Sequence, residues 1–234
     1  MSAYILHYAP DNASLIVRLA LEHRRLPYRT RLVNRAAAEQ AGAAYRALNP
    51  HGLIPVLETP QGTLFETGAI LLWLADRHGG LAPSPDMRDR AGFLKWLFFV
   101  SNTLHPALRM TFYPEKYAGP DKLHQAALRK TMQTAIATHL GTLDAVAAQC
   151  PVWLDPAHPG VMHFYLAACL RWCALYPSDA DRGWFRLADT PHLRNLCAAV
   201  EALPCTRAAQ DAEGLGPTPF TAPCLATPPE GSAT

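Results

Sequence analysis

The sequence is short of charge and has no concentration of one sign. Lys and Arg number 21 and Asp and Glu 19 among 234 residues, a charged fraction of 17% and a formal net charge of +2. With no basic run, the electrostatic footprint of a nucleic-acid binder is missing, and no nucleic-acid partner is expected. No apolar stretch is long and unbroken enough to cross a bilayer, and the opening MSAYILHYAP has neither the basic region nor the long apolar core of an export signal. A cytoplasmic protein without membrane contact is therefore expected. Cysteine is absent from the first half: Cys150, Cys169, Cys173, Cys197, Cys205 and Cys224 all lie in the second, without a CxxC pair. That pattern suits a reducing compartment rather than a disulfide framework. What is plentiful is apolar side chain, 50% of the residues, enough to give one large domain or two small ones a core.

Along the chain, the first third alternates strand and helix signals. Tyr4 to Tyr8 is β-prone and ends in the turn cluster Ala9-Pro10-Asp11-Asn12. Ser14 is placed to cap a helix whose apolar face is Leu15, Ile16, Leu19 and Ala20, stopped by Pro27. Tyr28 to Val33 predicts a second strand, and the alanine-rich run from Ala36 to Leu48 predicts a helix before Asn49-Pro50-His51-Gly52. Leu53 to Glu58 and Thr63 to Phe65 predict a hairpin, followed by a helix from Thr67 to His78 with Ile70, Trp73, Leu74 and Arg77 at helical spacing. Gly79 to Pro85 breaks that helix, and beyond it strand signals vanish. The stretches 90–110, 123–148, 161–175 and 193–202 show helical periodicity instead. The expected organisation is a first domain over 1–80, a linker over 81–88, an all-helical domain over 89–212 and a proline-rich tail over 213–234. The tail is expected to be extended, draped on the body or partly disordered.

A βαβ unit followed by Leu53-Ile54-Pro55-Val56, a hairpin, and Phe65-Glu66-Thr67-Gly68 at the head of a helix resembles the glutathione-binding domain of glutathione S-transferases. The resemblance covers most of residues 3 to 212. It implies a thioredoxin-like α/β N-terminal domain, an all-α C-terminal domain and a homodimer. By the same resemblance, Pro55 is cis and the main chain of Ile54 pairs with the cysteinyl backbone of glutathione in the manner of an added strand. Glu66 and Thr67 meet the γ-glutamyl end: a carboxylate suits its amino group, and the free N–H groups of a helix mouth suit its carboxylate. Taken by itself, Glu-Thr ahead of an apolar run is more often an N-terminal cap. Arg35 and His51 are candidates for the glycyl carboxylate. Ser101-Asn102-Thr103-Leu104-His105 resembles a beta-class stretch, which makes Asn102 a candidate ligand and His105 a candidate neighbour of the sulfur. The core helix containing Phe164 to Cys169 lacks the family's usual capping box, since its two positions are Gly160 and His163.

A thiol with a pKa near 8.5 is only a few per cent thiolate at neutral pH, so the site must stabilise the anion. The beta-class cysteine position is Ala13, which removes a mixed disulfide with the protein at that place. The remaining candidates are Ser14 first, Asn12 second and Tyr8 third, set against plain roles as a cap, a turn residue and a core aromatic. Met110, Phe112, Tyr113 and Tyr117, with Phe220 from the tail, are candidate walls for a hydrophobic electrophile. His158 and His163 show no carboxylate or thiolate partner at a recognisable spacing, and no metal is expected. The leading expectation is a transferase that adds glutathione to a hydrophobic electrophile. Its rivals are glutathione-dependent peroxide or disulfide reduction and a non-catalytic binding module.

Overall fold

The computed structural model describes residues 4–233. Strands β1 (Tyr4–Tyr8), β2 (Tyr28–Leu32), β3 (Val56–Thr59) and β4 (Gly62–Phe65) form one sheet in the order β2-β1-β3-β4. β1 and β2 are parallel, with Leu6 opposite Thr30, so the chain needs a crossover between them, and α1 (Ser14–His23) supplies it. β3 returns antiparallel to β1 with Leu57 opposite Leu6, and β4 closes the hairpin with Leu64 opposite Leu57. Leu15, Ile16, Leu19 and Ala20 are fully buried, because α1 is sandwiched between the sheet and the helical half of the chain.

Two expected details of this half differ. The run 36–48 predicts one helix, and the chain forms a 3₁₀ turn at Glu39–Ala41 and a short α2 (Ala43–Arg46), separated by an extended Gly42. Local side chains compete for its first backbone groups: Asn34 Oδ1 accepts from the Ala37 N–H at 3.1 Å, and Glu39 Oε2 accepts from the Asn34 N–H at 2.7 Å. Ser14 is also not the cap of α1. That position is Ala13, and the Ser14 hydroxyl lies inside the first helical residue.

α3 (Thr67–His78) ends at Gly79, whose φ of 65° is one a residue without a Cβ adopts freely. The helical half then follows as α4 (Arg90–Phe99), a five-residue π-helical turn at Val100–Leu104, α5 (His105–Phe112), α6 (Glu115–Ala118), α7 (Lys122–Ala147), α8 (Val161–Leu175), α9 (Pro191–Glu201) and α10 (Pro204–Glu213). The π turn precedes Pro106, whose missing N–H leaves the ladder one donor short at that point. Sequence periodicity missed α6 and α10, and α10 opens with a proline at its first position.

α8 is the core of this half, buried on every side from Val161 to Cys173. At its start Gly160 has no side chain to complete a capping box, and other groups take over the cap. The Leu81 carbonyl accepts from the Val161 N–H at 2.9 Å, and His163 Nδ1 accepts from the Gly160 N–H at 3.2 Å. A Cβ on Gly160 would lie 2.2 Å from the Leu81 oxygen, so a serine or threonine cannot occupy that position without moving the chain.

Beyond α10 the chain is extended and lies on the body. Thr227 donates its N–H to the Gly214 carbonyl at 2.8 Å, Tyr8 donates its hydroxyl to Glu230, and Gly231 sits against Leu32 and Pro10.

Candidate functional site

A cavity of about 770 Å³ opens between the loops of the sheet, the mouth of α3 and helices α5, α6 and α8. One wall is the segment ahead of β3. The Ile54–Pro55 bond is cis, and neither the N–H nor the C=O of Ile54 bonds to another described residue. Asn49, unremarked in the sequence, shapes this loop from a buried position. Its Nδ2 donates to the Leu53 carbonyl at 2.8 Å, and its Oδ1 accepts from the His51 N–H at 3.1 Å. Gln40 is a second unanticipated lining residue, with a buried Oε1 that has no partner among the described residues.

The mouth of α3 forms the next part. The first helical bond runs from the Ile70 N–H to the Glu66 carbonyl at 2.9 Å, so the N–H groups of Thr67, Gly68 and Ala69 precede the ladder. These donors and the positive end of the helix dipole suit an anion. Glu66 is exposed at the cavity edge with φ 68°, a region that costs a residue with a side chain about 1–3 kcal/mol. A Cβ on Gly68 would lie 3.2 Å from Ser101 Cβ, so α3 and the π turn meet closely there.

The turn between β1 and α1 supplies the third part through Asn12 and Ala13. Asn12 Oδ1 accepts from the Ala13 N–H at 2.8 Å, which identifies its other end as the amide nitrogen, a donor left without a partner among the described residues. Ser14, the first choice from sequence, lies off the wall. It is fully buried, and its Oγ donates to the Ala9 carbonyl at 3.0 Å and accepts from the Ala9 N–H at 3.3 Å. Tyr8 is likewise buried off the wall, its hydroxyl spent on Glu230.

This turn is fixed from behind by a buried charge network that no local pattern announces. Arg171 and Asp11 form an ion pair at 2.8 Å, both side chains wholly buried. Asp11 also accepts from Trp172 Nε1 at 3.0 Å and the Tyr176 hydroxyl at 2.6 Å. The remaining N–H groups of Arg171 go to the carbonyls of Leu215, Pro219 and Cys224, so all five of its donors are satisfied. Glu213 accepts from the Asp11 N–H at 2.8 Å and from Arg18 Nε at 2.7 Å. Burial pushes the Glu213 carboxyl up to about 6 despite Arg18.

His105 lines the cavity with Nδ1 2.9 Å from the Tyr165 hydroxyl and its ring 5.4 Å from that of Trp172. Burial, with Arg109 adding to it, holds its pKa down at about 4, so the ring is neutral at pH 7. Arg35 is on the wall, but its guanidinium bonds the Tyr113 hydroxyl at 2.7 Å and the Ala233 carbonyl at 2.6 Å. His51 and Asn102 are off the wall: His51 is exposed beside Phe65, and Asn102 is exposed and accepts from Ser101 Oγ at 3.0 Å. Phe112, Tyr113 and Tyr117 line the cavity, joined by Tyr165, Trp172 and Tyr176 from α8 and its end. Met110 does not, and Phe220 is buried elsewhere, its N–H held by Glu201 at 2.9 Å. His158 does have a carboxylate partner, Asp155 at 2.8 Å on the surface; among the described residues no three His, Cys, Asp or Glu side chains converge as a metal site.

Residues 13–77 match the family model of the glutathione S-transferase N-terminal domain. Over 218 residues the chain is 29% identical to glutathione S-transferase GST-4.5 of Xanthomonas campestris pv. campestris, covering 90% of this chain and 98% of that one. It is 28% identical to the disulfide-bond oxidoreductase YfcG of Escherichia coli, over 86% of this chain and 91% of that one. The solved structure of a sphingomonad glutathione S-transferase complexed with glutathione superposes with a TM-score of 0.73 at 28% identity, over 91% of this chain and 100% of that one. A thioredoxin-like sheet with a helical second half is the architecture that this chain shares with these matches. Over most of its length the chain is similar to bacterial glutathione S-transferases, and the family model itself spans its first domain.

Proposed function

We propose that this protein binds glutathione along the segment ahead of β3, ionises its thiol at the β1–α1 turn and adds the sulfur to an electrophile held by the helical half. The observation that carries the reading is the open main chain of Ile54 beside the mouth of α3 and Glu66. The cysteinyl backbone of the tripeptide pairs with Ile54, its γ-glutamyl carboxylate takes the N–H groups at Thr67 and Gly68, and its amino group takes Glu66. The sulfur then reaches the turn, where Asn12 offers its amide nitrogen and α1 its positive end. Lowering a thiol pKa by two units needs roughly 2.7 kcal/mol of preference for the thiolate, which such donors can supply. Neutral His105 contributes an oriented hydrogen bond, not a positive charge. Conjugation forms the C–S bond after the thiol proton leaves to solvent, and the electrophile either releases a leaving group with its bonding pair or opens a π bond and takes a proton back from solvent.

Ultraviolet titration of the bound thiol tests this assignment. Asn12→Ala is expected to raise the thiol pKa by about one unit, equivalent to about 1.4 kcal/mol, while Ser14→Ala leaves it in place. An unchanged pKa in Asn12→Ala removes that residue from the mechanism.

The likeness to a disulfide-bond oxidoreductase favours a second reading for the same cavity. Among the described residues no cysteine lines it, so a disulfide would be reduced by two glutathione molecules, which leave as their own disulfide. Comparing turnover of an aryl halide with that of a small disulfide separates the two. A homodimer belongs to the same proposal, supported by Phe98, an apolar side chain 52% exposed on α4; sedimentation as a single chain at micromolar concentration would refute it.

A further inference from the structure

The helical wall of the cavity is cationic. Arg35, Arg109 and Lys116 stand around one ring, that of Tyr113. Arg35 Nη2 donates to its hydroxyl at 2.7 Å, Lys116 Nζ lies 4.4 Å from its centroid, and the Arg109 guanidinium carbon lies 5.8 Å from it. All four residues line the cavity. None of the three cations is in an ion pair among the described residues. Their hydrogen-bond partners are neutral: the Tyr113 hydroxyl and Ala233 carbonyl for Arg35, and the Tyr117 hydroxyl at 2.8 Å for Arg109 Nε. The Nη groups of Arg109 and the Lys116 ammonium have no partner among the described residues.

None of the acids of the cavity wall forms an ion pair with these three cations among the described residues. Asp11 is spent on Arg171, Glu66 is at the mouth of α3, and Asp179 is exposed and unpaired among the described residues. Partial burial and the neighbouring Arg109 lower the Lys116 pKa, with Arg35 adding to the effect and Glu115 opposing it. Three like charges sharing one aromatic ring repel each other, and an anion placed among them relieves that repulsion.

Resting on the glutathione reading above, we propose that the second substrate carries a carboxylate, received by Arg109 and Lys116 with Arg35 behind Tyr113, while its apolar body lies on Phe112, Trp172 and Tyr176. The planar fork of Arg109 still has the two Nη groups that grip a carboxylate bidentately. An uncharged hydrophobic electrophile leaves this wall unanswered. The carboxylate has two possible sources: the electrophile itself, or a second glutathione that brings two carboxylates of its own.

The test uses the full chain, Lys116→Gln, Arg109→Gln and the double variant, with two matched aryl halides, 4-chloro-3-nitrobenzoate and its methyl ester. With either, sulfur bonds to the ring carbon, the C–Cl bond breaks, chloride leaves with the bonding pair and the thiol proton goes to solvent. Each rate is divided by the uncatalysed rate of the same halide. Calorimetry of glutathione binding is run in parallel. If the electrophile supplies the carboxylate, the acid is preferred over the ester by about tenfold in kcat/KM, mainly through KM, and the preference disappears in the double variant. If a second glutathione supplies it, the parent binds two equivalents and the double variant one. Either result supports the proposal. One equivalent bound, with no preference for the acid or a preference that survives the double substitution, overturns it while leaving the glutathione reading intact. No glutathione bound at all overturns both.

Discussion

Two groups of charge lie on either side of the same cavity, and they are built on opposite principles. Behind the β1–α1 turn, Asp11, Arg171, Arg18 and Glu213 are buried and matched, two acids against two bases, with every donor of Arg171 occupied. On the far rim, Arg35, Arg109 and Lys116 are partly or fully exposed and form no ion pair among the described residues. Charge that is answered within the chain positions the backbone; charge left open is available to whatever enters. Asp11 borders the cavity, but its buried carboxylate already accepts four hydrogen bonds, whereas the cations of the rim have donors left over.

Removing one member of the buried group breaks the comparison most severely. Arg171→Met leaves the Asp11 carboxylate and three tail carbonyls without their donor in a dry interior, and is expected to cost about 3–5 kcal/mol in urea unfolding. Glutathione affinity is expected to fall with it, because Asn12 follows Asp11 directly.

Acid sharpens the comparison from the interior side. His105 and His163 are held near 4 by burial, below the 6.5 of the unfolded chain, so the unfolded state takes up protons first as pH falls. Stability is full above about 6.5 and is lost towards 4, on the order of 3 kcal/mol for each histidine. Glu213, raised from 4.5 to about 6, works the other way and regains on the order of 2 kcal/mol as it protonates. A thermal melting series over that range should therefore fall, and His163→Gln should flatten it.

The smallest effect is expected on the rim itself. Lys116→Gln should change stability by less than about 0.5 kcal/mol, since among the described residues its exposed ammonium meets only the face of the Tyr113 ring. A larger loss in denaturant unfolding would make this lysine part of the scaffold.

What the sequence conveyed was local. Ile54-Pro55-Val56 and Glu66-Thr67 sit within one hairpin and the helix that follows, so order and spacing carried them, and the helix over Thr67–His78 needed only its own periodicity. The β1–α1 turn stood out as a candidate, but whether Asn12 or Ser14 faces the cavity depends on the rotation of the chain as it enters α1, which composition does not report. Asp11 and Arg171 are 160 positions apart, and Arg35 and Ala233 are 198 apart, so neither contact leaves a pattern in any window. The cationic rim was missed for a related reason: Arg35 comes from the sheet half, Arg109 from α5 and Lys116 from α6, and only folding gathers them around Tyr113.

The start of α8 shows atoms exchanging jobs. Where a hydroxyl side chain would ordinarily finish a helix, Gly160 makes room and the main chain of Leu81 fills the vacancy. The junction between the two halves is thereby keyed into the axle of the second: sliding one half past the other would strip a buried N–H of its acceptor. A residue that reads as a missing motif is thus the socket that keeps the sheet side of the cleft in register with the helical side.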